Sequence, residues 1–378
     1  MTGNPVLLAW YENVNGDGSA DLVTVNNVTS DDSVLRNVLA KYEARGWIPV
    51  VAPEVEFYLL SPHSDPNAEA EPPEGRLGWT EGANQPYSID TMNDFDPFIN
   101  DVYEFCEVQG IEIDTISQEM GPAQFELNFL HGHAVDLADQ VFLFKRTIRE
   151  AAIKHGMHAT FLAKPMEGEA GSALHVHQSV VDKSGNNVFS GADGNATDLF
   201  YGFIGGLQHY MNEALLMFAP YVNSYRRFMH PDSSPVNLAW AIDNRTVGLR
   251  VPVSDPQARR VENRIAGADV NPYLAIATSL ACGYLGMKQG LRPSKPVDGD
   301  AYNLPFSLPR DLESGMARLR QCEDLIEVLA VDNERVRGLG LTHADLARPL
   351  FHVVNVIVRV WVVYITVIHN ITDDDAWH

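Results

Sequence analysis

The sequence predicts an α+β domain, and three observations predict it. Helix-like and strand-like runs alternate irregularly along the chain. No glycine-rich dinucleotide fingerprint follows any strand-like run, which argues against a doubly wound sheet. The 378 residues are 45% hydrophobic, enough to bury a large core.

Residues 33–45 carry Val34, Leu35, Val38, Leu39 and Tyr42 at helical spacing, with Ser30 to Asp32 to cap the start and Gly46 to end it. Trp47–Leu60 is rich in Val, Ile and aromatics and reads as one long strand or a strand pair. Residues 61–86 hold five prolines and several glycines, a long loop of the kind that carries function or moves. Residues 97–109 look helical, and Ile111–Leu130 holds two strand-like runs around Gly121-Pro122. Ala134–His155 is a strong helix, with Asp136 early, basic residues late and Gly156 after it. Thr160–Lys164 and Ser172–Val181 read as strands, and Thr197–Met217 as a helix. Pro235–Ala241 and Val247–Val253 read as strands. Asn271-Pro272 opens a helix that runs to about Lys288, with Asn as the cap and Pro in the first turn.

The charge narrows the partners. Lys and Arg number 27 against 50 Asp and Glu, a formal net charge of −23. Nucleic acid and anionic membrane surfaces both need clustered cations, so both are disfavoured. Cys106, Cys282 and Cys322 are too scattered for a disulfide framework or zinc cluster and suit a reducing compartment. The N-terminus lacks a basic segment followed by an apolar one, so no signal peptide is read there. Val353–Ile368, about 16 residues with Asn355 and Arg359 inside, is short of the roughly 20 a spanning helix needs. A cytoplasmic protein is expected.

Several side chains stand out chemically. Glu54 and Glu56 lie two apart in an apolar strand-like run, so both face one side of the sheet. Either that side is the solvent face of an edge strand, or a cation neutralises the pair. Glu119 and Glu126 bracket MGPAQF, with Glu126 again inside an apolar run that could equally be an exposed strand face. His175 and His177 share a face by the same period, a pattern moderately specific for a metal or a phosphate. Arg260, Glu262 and Arg264 alternate in sign along one face if extended. Arg226, Arg227, Arg245 and Arg250 lie in two further short segments, where forked guanidinium groups suit carboxylate or phosphate better than a scatter of surface ion pairs would explain. Hard oxygen ligands, one imidazole pair and arginines favour Mg²⁺ or Mn²⁺ with a phosphate substrate over zinc.

The motifs APEVEFYLL, SQEMGPAQFELNF, GSALHVHQS, SSPVNLAW, NRTVGLRVP and RRVENR, with NSYRR between the third and fourth, occur in the order and spacing of the glutamine synthetase superfamily over roughly residues 30–325. FLFKRTIREAA and NPYLAIA most resemble its γ-glutamylpolyamine (glutamate–putrescine) synthetase branch. The resemblance implies a curved, mainly antiparallel half-barrel sheet flanked by helices. It implies that Glu56, Glu119 and Glu126 hold one divalent ion, and Glu54, His175 and Glu262 a second. His177, Arg250 and Arg260 match ATP contacts, and Arg245 the arginine beside the transferring phosphoryl group. Gly171, Arg227 and Arg264 match the glutamate-binding positions. The implied catalytic set is Arg245, Glu262 and Glu54.

The implied reaction joins the γ-carboxylate of glutamate to an amine at the expense of ATP, through γ-glutamyl phosphate, without a Ser or Cys nucleophile. Alternatives are a glutamine synthetase, a glutamate–monoamine ligase, and a non-catalytic relative that binds nucleotide or glutamate. Ser233 stands where ammonia-using members carry a Glu, which favours a larger amine. Residues 1–28 read as the remnant of an N-terminal β-grasp domain, 29–330 as the catalytic domain and 331–378 as a divergent, Val-rich segment. The family assembles as homo-oligomeric double rings of twelve subunits, an arrangement the shortened small domain would weaken.

Overall fold

The computed structural model describes residues 31–63, 68–80, 82, 85–229 and 234–329. The readings for residues 1–28 and 331–378, for Val353–Ile368 and for Ser233 lie outside the described residues. Chain order is α1 (Asp31–Glu43), β1 (Trp47–Leu60), α2 (Ile89–Asp94), α3 (Asp96–Gln109), β2 (Ile113–Gln118), β3 (Gln124–Phe129), β4 (Gly132–His133), α4 (Ala134–Lys154), β5 (His158–Thr160) and β6 (Leu174–Asp182). Then come α5 (Asp198–Tyr210), α6 (Leu215–Phe218), α7 (Val222–Arg226), β7 (Trp240–Ile242), β8 (Leu249–Val251), β9 (Val261–Asn263), α8 (Pro272–Gln289), α9 (Leu312–Gln321) and α10 (Glu323–Leu329).

The strands form one open sheet in the order β2-β3-β1-β6-β9-β8-β7, with β4 and β5 also paired to β1. Every pairing is antiparallel except β7 with β8. The α+β class and the mainly antiparallel open sheet agree with the sequence reading. β1 is a single 14-residue strand at the centre of the sheet. That removes the edge-strand reading of Glu54 and Glu56.

The two sides of β1 divide the molecule. Val51, Val55, Phe57 and Leu59 point into the core, against which α1 and α4 pack. Ala52, Glu54 and Glu56 point the other way, as the period of two requires. Helix α8 is buried almost all round, the signature of a helix inside a core rather than on a surface. It starts as the sequence predicts: Asn271 Oδ1 accepts from the backbone N–H groups of Tyr273 and Leu274. It crosses α5 with glycines at the contact. A Cβ on Gly206 would lie 2.2 Å from the Cys282 carbonyl, and one on Gly286 would lie 2.1 Å from the Gly202 carbonyl.

Three elements depart from expectation. Of Thr160–Lys164 only Thr160 lies in a strand; beyond it the chain leaves β1, and Lys164 is instead fixed by the Asn223 side chain. Thr197–Met217 is two helices, because the Tyr210 carbonyl accepts from both Glu213 and Ala214 and closes a turn. The Pro235–Ala241 strand begins only at Trp240, since Asn237 turns its side chain onto the Ala239 and Ala301 backbone.

Candidate active site

Cross-strand register collects the charged residues. Glu54 on β1 is opposite His175 on β6 and Asn128 on β3, and Glu56 is opposite Glu126 on β3. His177 is opposite Glu262 on β9, and Glu262 is opposite Arg250 on β8. Residues directly opposed across a sheet share a face. Thus Glu54, Glu56, Glu126, His175, His177, Glu262 and Arg250, from five strands, meet on the side away from α1 and α4.

The hydrogen bonds are specific. His177 Nε2 lies 2.7 Å from Glu54 Oε1, and Arg260 Nε donates to His177 Nδ1 at 3.2 Å. Arginine only donates, so Nδ1 accepts and the proton sits on Nε2, aimed at Glu54. His175 Nδ1 lies 3.3 Å from Glu54, 3.8 Å from Glu262 and 4.0 Å from Glu56. Arg250 donates to Glu262 at 2.8 Å and to Asp243 at 2.9 Å, and Arg264 pairs with the other Glu262 oxygen. Glu262 is fully buried and so needs both partners.

Arg227, 3% exposed, donates to the carbonyls of Ile265 and Arg264. Gly171 lies against it: a Cβ there would sit 2.8 Å from Arg227 Cγ and 2.7 Å from the Ala163 carbonyl. Arg245 is exposed on the turn between β7 and β8, near enough for its charge to act on Glu119. Arg227, Arg250 and Arg264 each keep a buried Nε without a hydrogen-bond partner. Such donors are rare in native interiors and suit an anionic ligand.

The carboxylates divide into two electrostatic kinds. Burial acts to raise Glu54, but hydrogen bonds from His175 and His177 outweigh it and hold the carboxyl low. Glu262 is likewise held low against burial by Arg264 and the two imidazoles. Glu56 is pushed up to about 8, first by burial and then by the charge of Glu119. Burial, then the charges of Glu54, Glu56 and Glu119, drives Glu126 well above the usual carboxylate range. Glu119 is raised too, chiefly by burial. His175 is lowered to about 4 by burial and the Arg264 charge, so it presents a neutral ring, the form that binds metals.

Two groups have donor atoms within 4.8 Å of one another: Glu54, His175 and Glu262, and Glu56, Glu126 and His175. A donor set of carboxylates and one imidazole suits a hard divalent ion. The first group is the expected trio. The second holds Glu56 and Glu126 of the other expected set, with His175 in reach of both, while the donor atoms of Glu119 lie outside that spacing. Its carboxylate accepts from its own Met120 N–H at 3.1 Å, on the turn after β2. It remains close enough to repel Glu56 and Glu126.

Sequence reasoning missed Gln124, whose Nε2 reaches Glu56 at 3.4 Å and the Gly171 carbonyl at 3.0 Å, while its Oε1 accepts from Gly121. It also missed Asn128, which donates to Glu126 at 3.2 Å. A polar side chain inside an apolar strand was the available signal. Cys106, Cys282 and Cys322 are free thiols. Among the described residues no helix is long and apolar enough to cross a membrane.

An open α+β sheet offering carboxylates and imidazoles beneath arginines defines a protein equipped for divalent cations and anionic ligands together. Comparison with known proteins supplies the family. The profile described as "Glutamine synthetase, catalytic domain" matches residues 31–334. Gamma-glutamylputrescine synthetase PuuA of Escherichia coli K12 is 38% identical over 283 residues, covering 73% of this chain and 60% of that protein. A glutamate–isopropylamine ligase of a Pseudomonas species is 36% identical over 290 residues, covering 76% of this chain and 62% of that protein. A solved structure titled "Apo GmaS without ligand" superposes with a TM-score of 0.71 at 26% identity, over 87% of this chain and 74% of that one. The chain belongs to the glutamine synthetase family, through its catalytic domain. It spans about 60% of the length of these two curated relatives.

Proposed function

We propose that the chain is an ATP-dependent ligase that joins the γ-carboxylate of glutamate to an amine, with putrescine or a related polyamine as the amine. The reading rests on one observation above all: acidic and imidazole donors from β1, β3, β6 and β9 share a face with Arg250, beside Arg227, Arg260 and Arg264. The names of the similar proteins support glutamate and an amine as substrates, and the first of them supports putrescine.

Glu54, His175 and Glu262 would hold one Mg²⁺ or Mn²⁺, and Glu56, Glu119 and Glu126 the other. Bound there, the ions would neutralise the phosphates of ATP and the γ-carboxylate of glutamate. Arg227 and Arg264, with the backbone at Gly171, grip glutamate. His177, Arg250 and Arg260 contact ATP. A γ-carboxylate oxygen attacks the γ-phosphorus of ATP, ADP leaves, and Arg245 steadies the charge on the transferring group. The neutral amine then attacks the acyl carbon of γ-glutamyl phosphate; phosphate leaves, the amine loses a proton, and an amide remains. Positioning and charge neutralisation do the work, so no covalent enzyme intermediate is required.

The division into 1–28, 29–330 and 331–378, a cytoplasmic setting and assembly as a homo-oligomer belong to the same proposal. Light scattering tests the assembly. The deciding assay measures phosphate release from ATP with Mg²⁺ and glutamate, with and without putrescine, and identifies the amide by mass spectrometry. γ-Glutamylputrescine is the expected product. Glutamine at millimolar ammonia with no preference for putrescine selects a glutamine synthetase instead, and binding without turnover selects a non-catalytic relative.

A further inference from the structure

Behind Arg227 lie a buried lysine and a buried aspartate that the proposed reaction does not use. Lys145, on the core face of α4, is buried, and its Nζ donates to the carbonyls of Ala268 at 2.6 Å and Val270 at 2.9 Å. Those carbonyls flank Asp269. Asp269 Oδ2 accepts from Ser224 Oγ at 2.6 Å, and Ser224 belongs to α7, the helix that Arg227 ends. Asp269 Oδ1 and Arg227 Nε are both buried without a hydrogen-bond partner, and the two charges attract. The same loop reaches the glutamate-binding glycine: Ala268 N–H donates to the Ser172 carbonyl, and Gly267 bridges Ala173.

A need for this arrangement follows from charge. Arg227 and Arg264 are close enough to repel each other, and Asp269 is among the groups that offset this repulsion. Remove Asp269, and Arg227 loses a buried counter-charge beside a neighbouring guanidinium.

We propose that Asp269 and Lys145 are positioning residues that set Arg227 for the carboxylate of glutamate. Lys145 fixes the peptides on either side of Asp269, and Asp269 fixes α7 through Ser224 and balances Arg227. The inference rests on the assignment of Arg227 to glutamate. It is tested on the full chain with Asp269→Asn, Lys145→Met and Ser224→Ala, by steady-state kinetics and by the melting shift that glutamate induces. Asp269→Asn raises KM for glutamate about tenfold, the scale of one lost charge-assisted contact, and shrinks the glutamate-induced shift. KM for ATP and kcat stay within about twofold, the split that separates positioning of one substrate from general damage. Lys145→Met moves KM in the same direction. Ser224→Ala removes one hydrogen bond and no charge, so it decides the matter if the charge variants fail to fold, with a smaller rise in the same constant. Unchanged KM for glutamate, or KM for both substrates rising together with a falling melting temperature, overturns the inference and leaves the ligase reading standing. A wild-type chain that neither binds glutamate nor turns over with it overturns both.

Discussion

Replacing Glu126 by Gln tests the candidate cation site without removing atoms from it. Glu126 stands directly opposite Glu56, and donor atoms of the two lie within 4.8 Å. Two charges at that spacing repel by about 3–4 kcal/mol at an effective dielectric of about 20. Protonation recovers most of this, because both carboxyls are pushed upward, so the net relief from the amide is about 1 kcal/mol. Without divalent ions, Glu126→Gln should therefore melt no lower than wild type, and about 2 °C higher if the relief is fully expressed. With Mg²⁺ or Mn²⁺ at a hundred times its dissociation constant, wild type gains about 2.7 kcal/mol, or about 5 °C. The variant should keep less than half of that shift, because the Glu54, His175 and Glu262 group is intact and the other is not. Differential scanning calorimetry in EDTA and in each ion reads both numbers. A variant that melts lower in EDTA yet keeps the whole divalent shift would refute the reasoning, since Glu126 would then be a structural partner and not an ion ligand.

Proton linkage gives an independent check. A carboxyl near 8 in the ion-free protein must lose its proton to ligate, so affinity for Mg²⁺ should rise with pH from 6 and level off above about 8; calorimetry in buffers of different ionisation heat should show proton release at pH 7. Affinity that is flat across this window contradicts the reading. Gly286→Ala should cost about 1–3 kcal/mol or more and lower the melting temperature by several degrees, because its methyl meets Gly202 and Gly206 backbone at 2.1 and 2.4 Å with no flexible side chain to give way. Ser233→Glu should raise ammonia use relative to putrescine by adding a carboxylate for a small cation; an unchanged ratio of the two kcat/KM values counts against that assignment.

Where local pattern carried the information, the sequence was legible. Val51, Val55, Phe57 and Leu59 alternate with Ala52, Glu54 and Glu56, so β1 and the shared face of its carboxylates follow from a period of two. The His175/His177 pair follows in the same way. Register does not. That Glu56 opposes Glu126, and Glu262 opposes both His177 and Arg250, depends on pairing between residues 70, 85 and 12 apart in sequence. Strands β7, β8 and β9 are three residues each, too short for any periodic signal, and exist through their neighbours. Glu119 sits on a turn, where side-chain direction follows no period, so its placement beside Glu56 and Glu126 could not be read from spacing. Lys145 was overlooked although its position was conspicuous. It falls among Val141, Phe144, Ile148 and Ala152, all buried on the same face of α4, and a lysine in that stripe breaks the local rule in the way functional sites do.

The two electrostatic kinds of carboxylate imply an order of events at the site. Glu54 and Glu262 are already ionised, held by His175, His177, Arg250 and Arg264. Glu56 and Glu126 accept hydrogen bonds from the neutral donors Gln124, Asn128 and the Ala173 N–H, and at Glu56 burial outweighs the nearby Arg227 and Arg264 charges. On the proposed assignment, an ion entering the Glu54, His175 and Glu262 group displaces ion pairs and few protons. One entering beside Glu56 and Glu126 displaces protons. The second step should therefore carry nearly all the pH dependence of divalent binding, and Glu126→Gln should abolish proton release while leaving the first step in place. Proton release that survives in Glu126→Gln at its wild-type value would mean that the raised carboxyls belong to some equilibrium other than cation binding.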